Sequence, residues 1–233
     1  MSTAIVPPSD HGIQAAVQDE LEWTPDVDAA GIGVAVDDGV VRLSGQVDDY
    51  VEQLAAKRAA LRVRGVTTVV DDLIVRPQSS GETTEADIAK AVTHALRWAS
   101  NVPDSVRAEV RGHCVTLAGE VRWNFEREAA RRAVQYLHGV HDVKNAITLL
   151  PRPAAPETQE LIKKALVRNA LIEADNIAVT IRGNTAILAG HVGSWAEKKQ
   201  AGAAAWSSPH VTDVVNDIVV RPPASRTIGY PPR

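Results

Sequence analysis

Aromatic residues and cysteine are both scarce in this chain. Five Trp, three Tyr and one Phe amount to 4% of the 233 residues, so a hydrophobic core must be built from Val, Ile, Leu and Ala. The lone Cys114 excludes an internal disulfide framework, and no His or Asp accompanies it in a nucleophile pattern. We therefore interpret Cys114 as an ordinary strand residue.

Membrane-spanning and export signals are missing as well. No apolar run is long enough to cross a bilayer. The N-terminal segment contains neither the basic stretch nor the apolar run of a secretory signal. From these absences we expect a cytoplasmic protein that reaches membranes only from the periphery.

The net charge of −4 is unevenly distributed along the chain. Residues 10–78 contain 6 Lys and Arg against 13 Asp and Glu, whereas residues 84–151 contain 9 against 8 and residues 155–222 contain 7 of each. A nucleic-acid-binding domain is expected to be basic, and none of the three regions is strongly so. The charge pattern thus argues against nucleic acid as a partner.

Motifs of catalysis and of metal binding are absent from the sequence. It has no phosphate-binding loop, dinucleotide fingerprint, nucleophile elbow or paired-carboxylate motif. The seven histidines include one close pair, His138 and His141, which no carboxylate accompanies at a metal-site spacing. We therefore predict a non-enzymatic protein without a cofactor or a bound metal.

What the chain does contain is an internal repeat. The segment VRLSGQV at 41–47 returns as VTLAGEV at 115–121 and as AILAGHV at 186–192. Its glycines lie 74 and 71 residues apart, which suits three small domains in tandem rather than a solenoid; they are Gly45, Gly119 and Gly190. We place the domains at residues 9–78, 84–151 and 155–222, called repeats one, two and three below, and expect a disordered tail at 223–233.

Each repeat shows the same order of predicted elements. In repeat one, Ile13, Val17 and Leu21 form the apolar stripe of an amphipathic helix. Alternating apolar residues on both sides of a turn at 37–39 predict a β-hairpin. An Ala-rich helix that Gly65 stops, and then a third strand, complete an αββαβ unit of the α+β class.

This pattern resembles the BON domain family. Besides the three strand glycines, the resemblance is carried by the helix-ending Gly65 and Gly139 and by the strand residues Asp71, Asn145 and Asn216. The resemblance implies two helices on one face of a three-stranded sheet in each repeat. It also implies a non-catalytic binding module linked to osmotic stress, the cell envelope and phospholipid contact.

Two positions depart from the family pattern, and we expect a different local geometry at both. His210 stands where the other repeats have a helix-ending glycine, and Asp71 stands where Asn is usual. We attribute the strand glycines to the close approach of another backbone segment or of a helix to the strand. For Asp71, Asn145 and Asn216 we favour a local hydrogen bond to backbone over a role in binding.

Two tryptophans are more informative than the other aromatic residues. Trp123 occupies the N-cap position of the second helix in repeat two, where an indole cannot cap and should be partly exposed. Trp206 points away from the apolar stripe of its own helix on a helical wheel. Both residues either pack against a neighbouring repeat or a second copy of the chain, or belong to a binding surface.

The binding interpretation predicts a contact between repeat two and an anionic phospholipid or a protein partner. Basic residues suit anionic headgroups, and an interfacial Trp adds an amphipathic anchor. The residues predicted to make this contact are Lys90, Arg97, Arg122, Trp123, Arg127 and Arg131.

The acidic repeat one leaves a different function open, a cytosolic sensor of potassium or calcium. Clustered carboxylates concentrate cations, and repeat one offers Asp37, Asp38, Asp48, Asp49, Asp71 and Asp72. The alternative interpretation of these carboxylates is a solvated turn and strand edge.

Overall fold

The computed structural model describes residues 9–76, 83–153, 155, 157–168 and 176–221. The predicted tail at 223–233 and most of the linker between repeats one and two lie outside these residues. The described residues form three units, and each has the same arrangement of helices and strands.

Repeat one has the predicted order of elements. They are α1 (Asp10–Trp23), β1 (Ile32–Asp37), β2 (Val40–Val47), α2 (Tyr50–Arg62) and β3 (Thr68–Val75). Ser9 caps α1 and Asp49 caps α2, each accepting a backbone N–H of the first helical turn. Asp38 and Gly39, both with positive φ, form the two-residue turn of the hairpin.

Repeats two and three follow the same plan. In repeat two the elements are α3 (Glu85–Trp98), β4 (Arg107–Arg111), β5 (Cys114–Val121), α4 (Asn124–Val134) and β6 (Asp142–Leu149). In repeat three they are α5 (Thr158–Val167), β7 (Ile177–Arg182), β8 (Thr185–Val192), α6 (Trp195–Trp206) and β9 (Asp213–Val220). No helix in the described ranges is both long and apolar enough to cross a bilayer.

Each sheet has three strands with the motif strand in the centre. β1 and β2 pair antiparallel, and β3 pairs parallel to the other edge of β2 because α2 carries the chain back between them. Repeats two and three have the same topology. The predicted α+β architecture of three tandem αββαβ units is therefore confirmed.

Each repeat encloses its own small core. In repeat one, Val17 and Leu21 of α1 and Ala56 of α2 meet Val41 and Leu43 of β2, and all five are at most 1% exposed. Most of the buried side chains of α2 are alanines, which are short, so this helix lies close to the sheet. Burying a Leu or Val contributes about 1.5–3 kcal/mol, and these aliphatic contacts replace the scarce aromatic residues.

The repeat glycines are explained by the close approach of neighbouring backbone, one of the two alternatives that we expected, and not by a helix. Gly45, Gly119 and Gly190 have φ between +125° and +135°, a region that L side chains rarely adopt. A Cβ there would also clash with the carbonyl oxygen just before the paired hairpin strand, which belongs to Gly31, Ser105 and Asn176 respectively. Two backbones thus approach at each glycine.

Candidate binding surfaces

In every repeat, a glutamate side chain accepts a hydrogen bond from the backbone just before the second helix. Glu52, Glu126 and Glu197 each accept a backbone N–H from the residues just before the helix, at 2.7–3.2 Å. We did not predict this role, although a Glu three residues after an N-cap is the signal of a capping box. The repeated glutamates therefore hold the loop that leads into the helix.

The strand residues Asp71, Asn145 and Asn216 bond to nearby backbone as expected. Asn145 Nδ2 donates to the carbonyl of Arg127 at 3.1 Å, and Asn216 makes the equivalent bond in repeat three. An aspartate cannot donate, so in repeat one Gln53 Nε2 supplies the donor, 3.3 Å from Asp71 Oδ1. The expected difference in local geometry at Asp71 is this reversal of the donor.

The helix-to-strand turn of repeat three also differs, as expected from His210. Gly65 and Gly139 have positive φ, whereas His210 does not. Its Nδ1 lies 2.8 Å from the carbonyl oxygen of Pro153 in the linker before repeat three. This turn therefore contributes to the junction between repeats two and three.

Trp123 lies at that same junction. The guanidinium of Arg152 sits 3.7 Å from the centroid of the Trp123 ring and donates to the carbonyls of Arg122 and Pro209, at 2.8 and 3.0 Å. Trp123 is 38% exposed and forms no side-chain cap, as expected. Arg152 of the linker thus contacts both repeat three and the start of α4.

Arg127 and Arg131 are engaged within the molecule as well. The Arg127 guanidinium lies 4.6 Å from the centroid of Trp206, across the junction. Arg131 pairs with Glu128 at 3.0 Å. Our expectation that Trp206 points away from its own core was wrong, because the broad indole covers the margin of the repeat-three core while its face meets Arg127.

Lys90 and Arg97 lie on a different helix, at the exposed side of α3. Trp98, the last residue of α3, is 76% exposed, and its ring centroid is 5.6 Å from that of His94. Lys90 pairs loosely with Asp87, at 3.8 Å. The predicted basic surface is therefore divided between the junction and a second surface, called the α3 face, which comprises Lys90, His94, Arg97 and Trp98.

Repeat one carries a tryptophan at the same position. Trp23 follows Leu21 by two residues, as Trp98 follows Leu96, and it is 84% exposed. The last turn of α1 contains no basic residue, and Asp19, Glu20 and Glu22 precede the indole. We overlooked this pair, which the sequence shows as a tryptophan that recurs in register with the repeat.

Tyr50 of repeat one and His141 of repeat two line the same cleft between these repeats. The His141 ring stacks on His113, with centroids 4.2 Å apart, and not on His138. Burial lowers the pKa of His141, and His113 lowers it further. Burial also raises the pKa of Tyr50, which faces repeat two, and the charge of Asp142 raises it further.

Three of the six carboxylates named for repeat one have structural partners. Asp49 caps α2, Asp71 lies 3.7 Å from Lys57, and Asp72 pairs with Arg42. Among the residues that the structure describes, no three His, Cys, Asp or Glu side chains are grouped to hold a metal ion. The ion-sensor hypothesis therefore gains no site here.

The comparisons with known proteins agree with the repeated architecture. The family model of the BON domain matches three times, at residues 9–77, 84–151 and 155–222. The chain is 30% identical over 141 residues to osmotically-inducible protein Y of Escherichia coli (strain K12), covering 58% of this chain and 70% of that protein.

Two solved structures are more distant. The C-terminal domain of CdsD, the structural protein of the Type III secretion system of Chlamydia trachomatis, is 11% identical, with 89% of this chain and 96% of that chain covered and a TM-score of 0.26. The PrgH periplasmic domain is 10% identical, with 82% and 95% covered and a TM-score of 0.22. TM-scores this low carry no argument about fold or function. The three family matches span nearly the whole sequence, and the chain therefore belongs to the BON domain family.

Proposed function

We propose that this protein is a non-enzymatic member of an osmotic-stress or envelope-stress response and that it contacts anionic phospholipid surfaces through the α3 face. The stress role is supported by the similarity to a protein named for osmotic induction. The lipid contact is supported by the family resemblance and by one structural observation, the exposed Trp98 beside basic side chains.

Trp98 has the surroundings that an interfacial anchor needs. Its indole is 76% exposed at the end of α3, so insertion among headgroups would require no unfolding of the repeat-two core. Arg97 precedes it, and Lys90 lies two turns back along the helix. Tryptophan favours the boundary between water and acyl chains, where its ring is apolar and its N–H stays hydrated.

The expected binding is weak and reversible. Each basic residue near an anionic membrane contributes about 1 kcal/mol, and the α3 face offers two, Lys90 and Arg97. Their attraction acts within about a Debye length, roughly 8 Å at physiological ionic strength, so added salt should weaken the contact. Repeat one, with 6 basic against 13 acidic residues, should be repelled from the same surface.

The residues at the other surface receive a different assignment. Arg122, Trp123, Arg127 and Arg131 contact other parts of the same chain, through Arg152, Trp206 and Glu128. We assign them to the contact between repeats two and three, so the partner that they bind is the adjacent repeat.

Vesicle flotation tests the lipid contact. The wild type should float with anionic vesicles at low salt and not with neutral vesicles. Trp98→Ala and Lys90→Glu/Arg97→Glu should each reduce flotation several-fold. Trp23→Ala is the matched control, because it removes an equally exposed indole at the equivalent position of an acidic helix, and it should leave flotation unchanged.

Two results would count against the proposal. One is flotation of the wild type with neutral and anionic vesicles alike, which would remove the role of charge. The other is equal flotation of the wild type, Trp98→Ala and Lys90→Glu/Arg97→Glu, which would place any lipid contact away from the α3 face. Circular dichroism of each variant establishes that the fold is intact.

A further inference from the structure

We propose that the cleft between repeats two and three binds a nucleoside phosphate. This junction cleft has a volume of about 610 Å³, within the size range of small-molecule sites, and it lies between two folded units, where such sites often occur. Three aromatic rings and three cations line it: Trp123, Phe125, Trp206, Arg127, Arg132 and Lys199.

The charges in the cleft favour a phosphate group. Within the described part of the chain, neither Arg132 nor Lys199 forms an ion pair with a carboxylate. Glu128 is the one carboxylate of the lining, and Arg131 pairs with it at 3.0 Å. The cleft therefore presents uncompensated positive charge, and an arginine matches phosphate oxygens with two parallel N–H donors.

The rings in the cleft favour a flat ligand. Phe125 is 54% exposed, and its ring lies nearly parallel to that of Trp123, with centroids 6.5 Å apart. Trp206 lines the cleft from repeat three. Bases stack on aromatic side chains with little dependence on base identity, so this arrangement suits a nucleobase.

A buried amide oxygen in the same lining lacks a partner. Asn124 Oδ1 is inaccessible to solvent and accepts no hydrogen bond from the described residues. Such atoms are uncommon in folded proteins, because an unmet buried acceptor destabilises the structure. The exocyclic amino group or ring N–H of a base is a donor that would satisfy this acceptor after a small side-chain rotation.

The cleft between repeats one and two differs in charge from the junction cleft. Between repeats one and two, Val51 and Gln53 occupy the positions of Phe125 and Arg127. The cleft there is lined by Asp48 and Asp49 together with Tyr and His rings, and by no Lys or Arg of the described residues. A junction can therefore form without the Arg and Lys side chains that line the junction cleft. Arg127, Trp123 and Trp206 already make the contact between repeats two and three. Arg132 and Lys199 form no such contact among the described residues, and a ligand would account for their place in the cleft.

Calorimetry of the full chain tests the proposal with defined probes. These are adenosine and guanosine monophosphates, the two nucleosides, ribose 5-phosphate and inorganic phosphate. At least one nucleotide should bind about tenfold more tightly than its nucleoside and than ribose 5-phosphate, because only the nucleotide uses both rings and cations. Quenching of Trp fluorescence should follow the same order.

Variants locate the binding. Arg132→Glu/Lys199→Glu should lower nucleotide affinity at least tenfold. Arg58→Glu is the matched control, because it reverses the equivalent charge on α2 outside the cleft, and it should leave the affinity within about twofold. Phe125→Leu should weaken the nucleotide about fivefold and leave inorganic phosphate unchanged.

The proposal is overturned if neither nucleotide binds, if phosphate or nucleoside binds as tightly as nucleotide, or if Arg58→Glu reduces binding as much as the cleft variant. These measurements contain no lipid, and the flotation variants leave the cleft intact. Failure of the nucleotide site is therefore distinguishable from failure of the membrane contact.

Discussion

Repeats one and two share a fold and differ in charge. Both begin with a helix that ends in an exposed tryptophan, and both place a glycine with positive φ opposite the backbone carbonyl at the equivalent position. Yet residues 10–78 carry 6 basic against 13 acidic residues, while residues 84–151 carry 9 against 8. Features that the fold requires, such as the strand glycine, recur in both repeats. Surface charge is not required by the fold and differs between them.

The largest effect is expected from a substitution of the strand glycine that recurs in every repeat. Gly119→Val places a branched side chain at φ +135° and against the carbonyl of Ser105, which should lower the stability of repeat two by about 3 kcal/mol. Gly112→Val is the control, because its φ of +57° is also positive but no atom lies within 4 Å of a Cβ there.

Hydrogen exchange, read repeat by repeat, measures this difference. Amides of repeat two should exchange much faster in Gly119→Val than in Gly112→Val, while repeats one and three keep their protection. Equal effects of the two substitutions would show that φ alone, and not the approach of two backbones, explains the repeated glycine.

A smaller effect comes from exchanging the strand residues between the repeats. Asn145→Asp removes the donor to the Arg127 carbonyl and should destabilise repeat two by about 1–3 kcal/mol. Asp71→Asn should change stability by no more than about 0.5 kcal/mol, because Gln53 remains as a donor and the Lys57 ion pair is partly exposed. Urea unfolding of both variants gives the comparison, and equal losses would contradict it.

The smallest expected effect is a pH dependence that belongs to repeat two. The pKa of His141 is lowered in the fold by burial and by His113, so the unfolded chain binds the proton more readily. The neutral stack contributes its stability above the ordinary histidine pKa of about 6.5 and loses it as the pH falls towards the lower folded pKa.

The variant His141→Thr tests this dependence, because Thr67 holds the same position in repeat one. Between about pH 7.5 and about pH 5.5, the wild type should lose more thermal stability than the variant does. An identical loss in both proteins would assign the dependence to other titrating groups.

Much of the fold could be predicted from the sequence because the repeat displays the same signals three times. Apolar spacing gave the helices, and turn chemistry at Asp38 and Gly39 gave the hairpin. The sequence left open whether a backbone or a helix approaches Gly45, because periodicity reports which face is buried but not the φ of a residue or which backbone lies near it. The hydrogen bond of the Glu52 side chain was missed although the spacing of Glu52 from Asp49 was visible.

The candidate surfaces were harder to predict because their contacts join distant parts of the chain. The sequence placed basic residues near Trp123, but it did not show that Arg152 stacks on this ring or that Arg127 faces Trp206. Charge and aromatic content thus indicated a binding surface near Trp123. The sequence could not show that Arg152 of the linker and Trp206 of repeat three already contact the side chains of that surface. Trp98 could have been found by asking which exposed residues recur in register.

A reciprocal exchange of charge between α1 and α3 tests most directly whether charge beside a recurring tryptophan selects the membrane-facing repeat. Ala15 and Glu22 hold the positions of Lys90 and Arg97, so the exchanged chain carries Ala15→Lys/Glu22→Arg together with Lys90→Ala/Arg97→Glu. In flotation with anionic vesicles, this chain should bind, Trp23→Ala should now reduce its binding, and Trp98→Ala should have lost its effect. Binding that still depends on Trp98, or that is abolished by the exchange, would contradict the account.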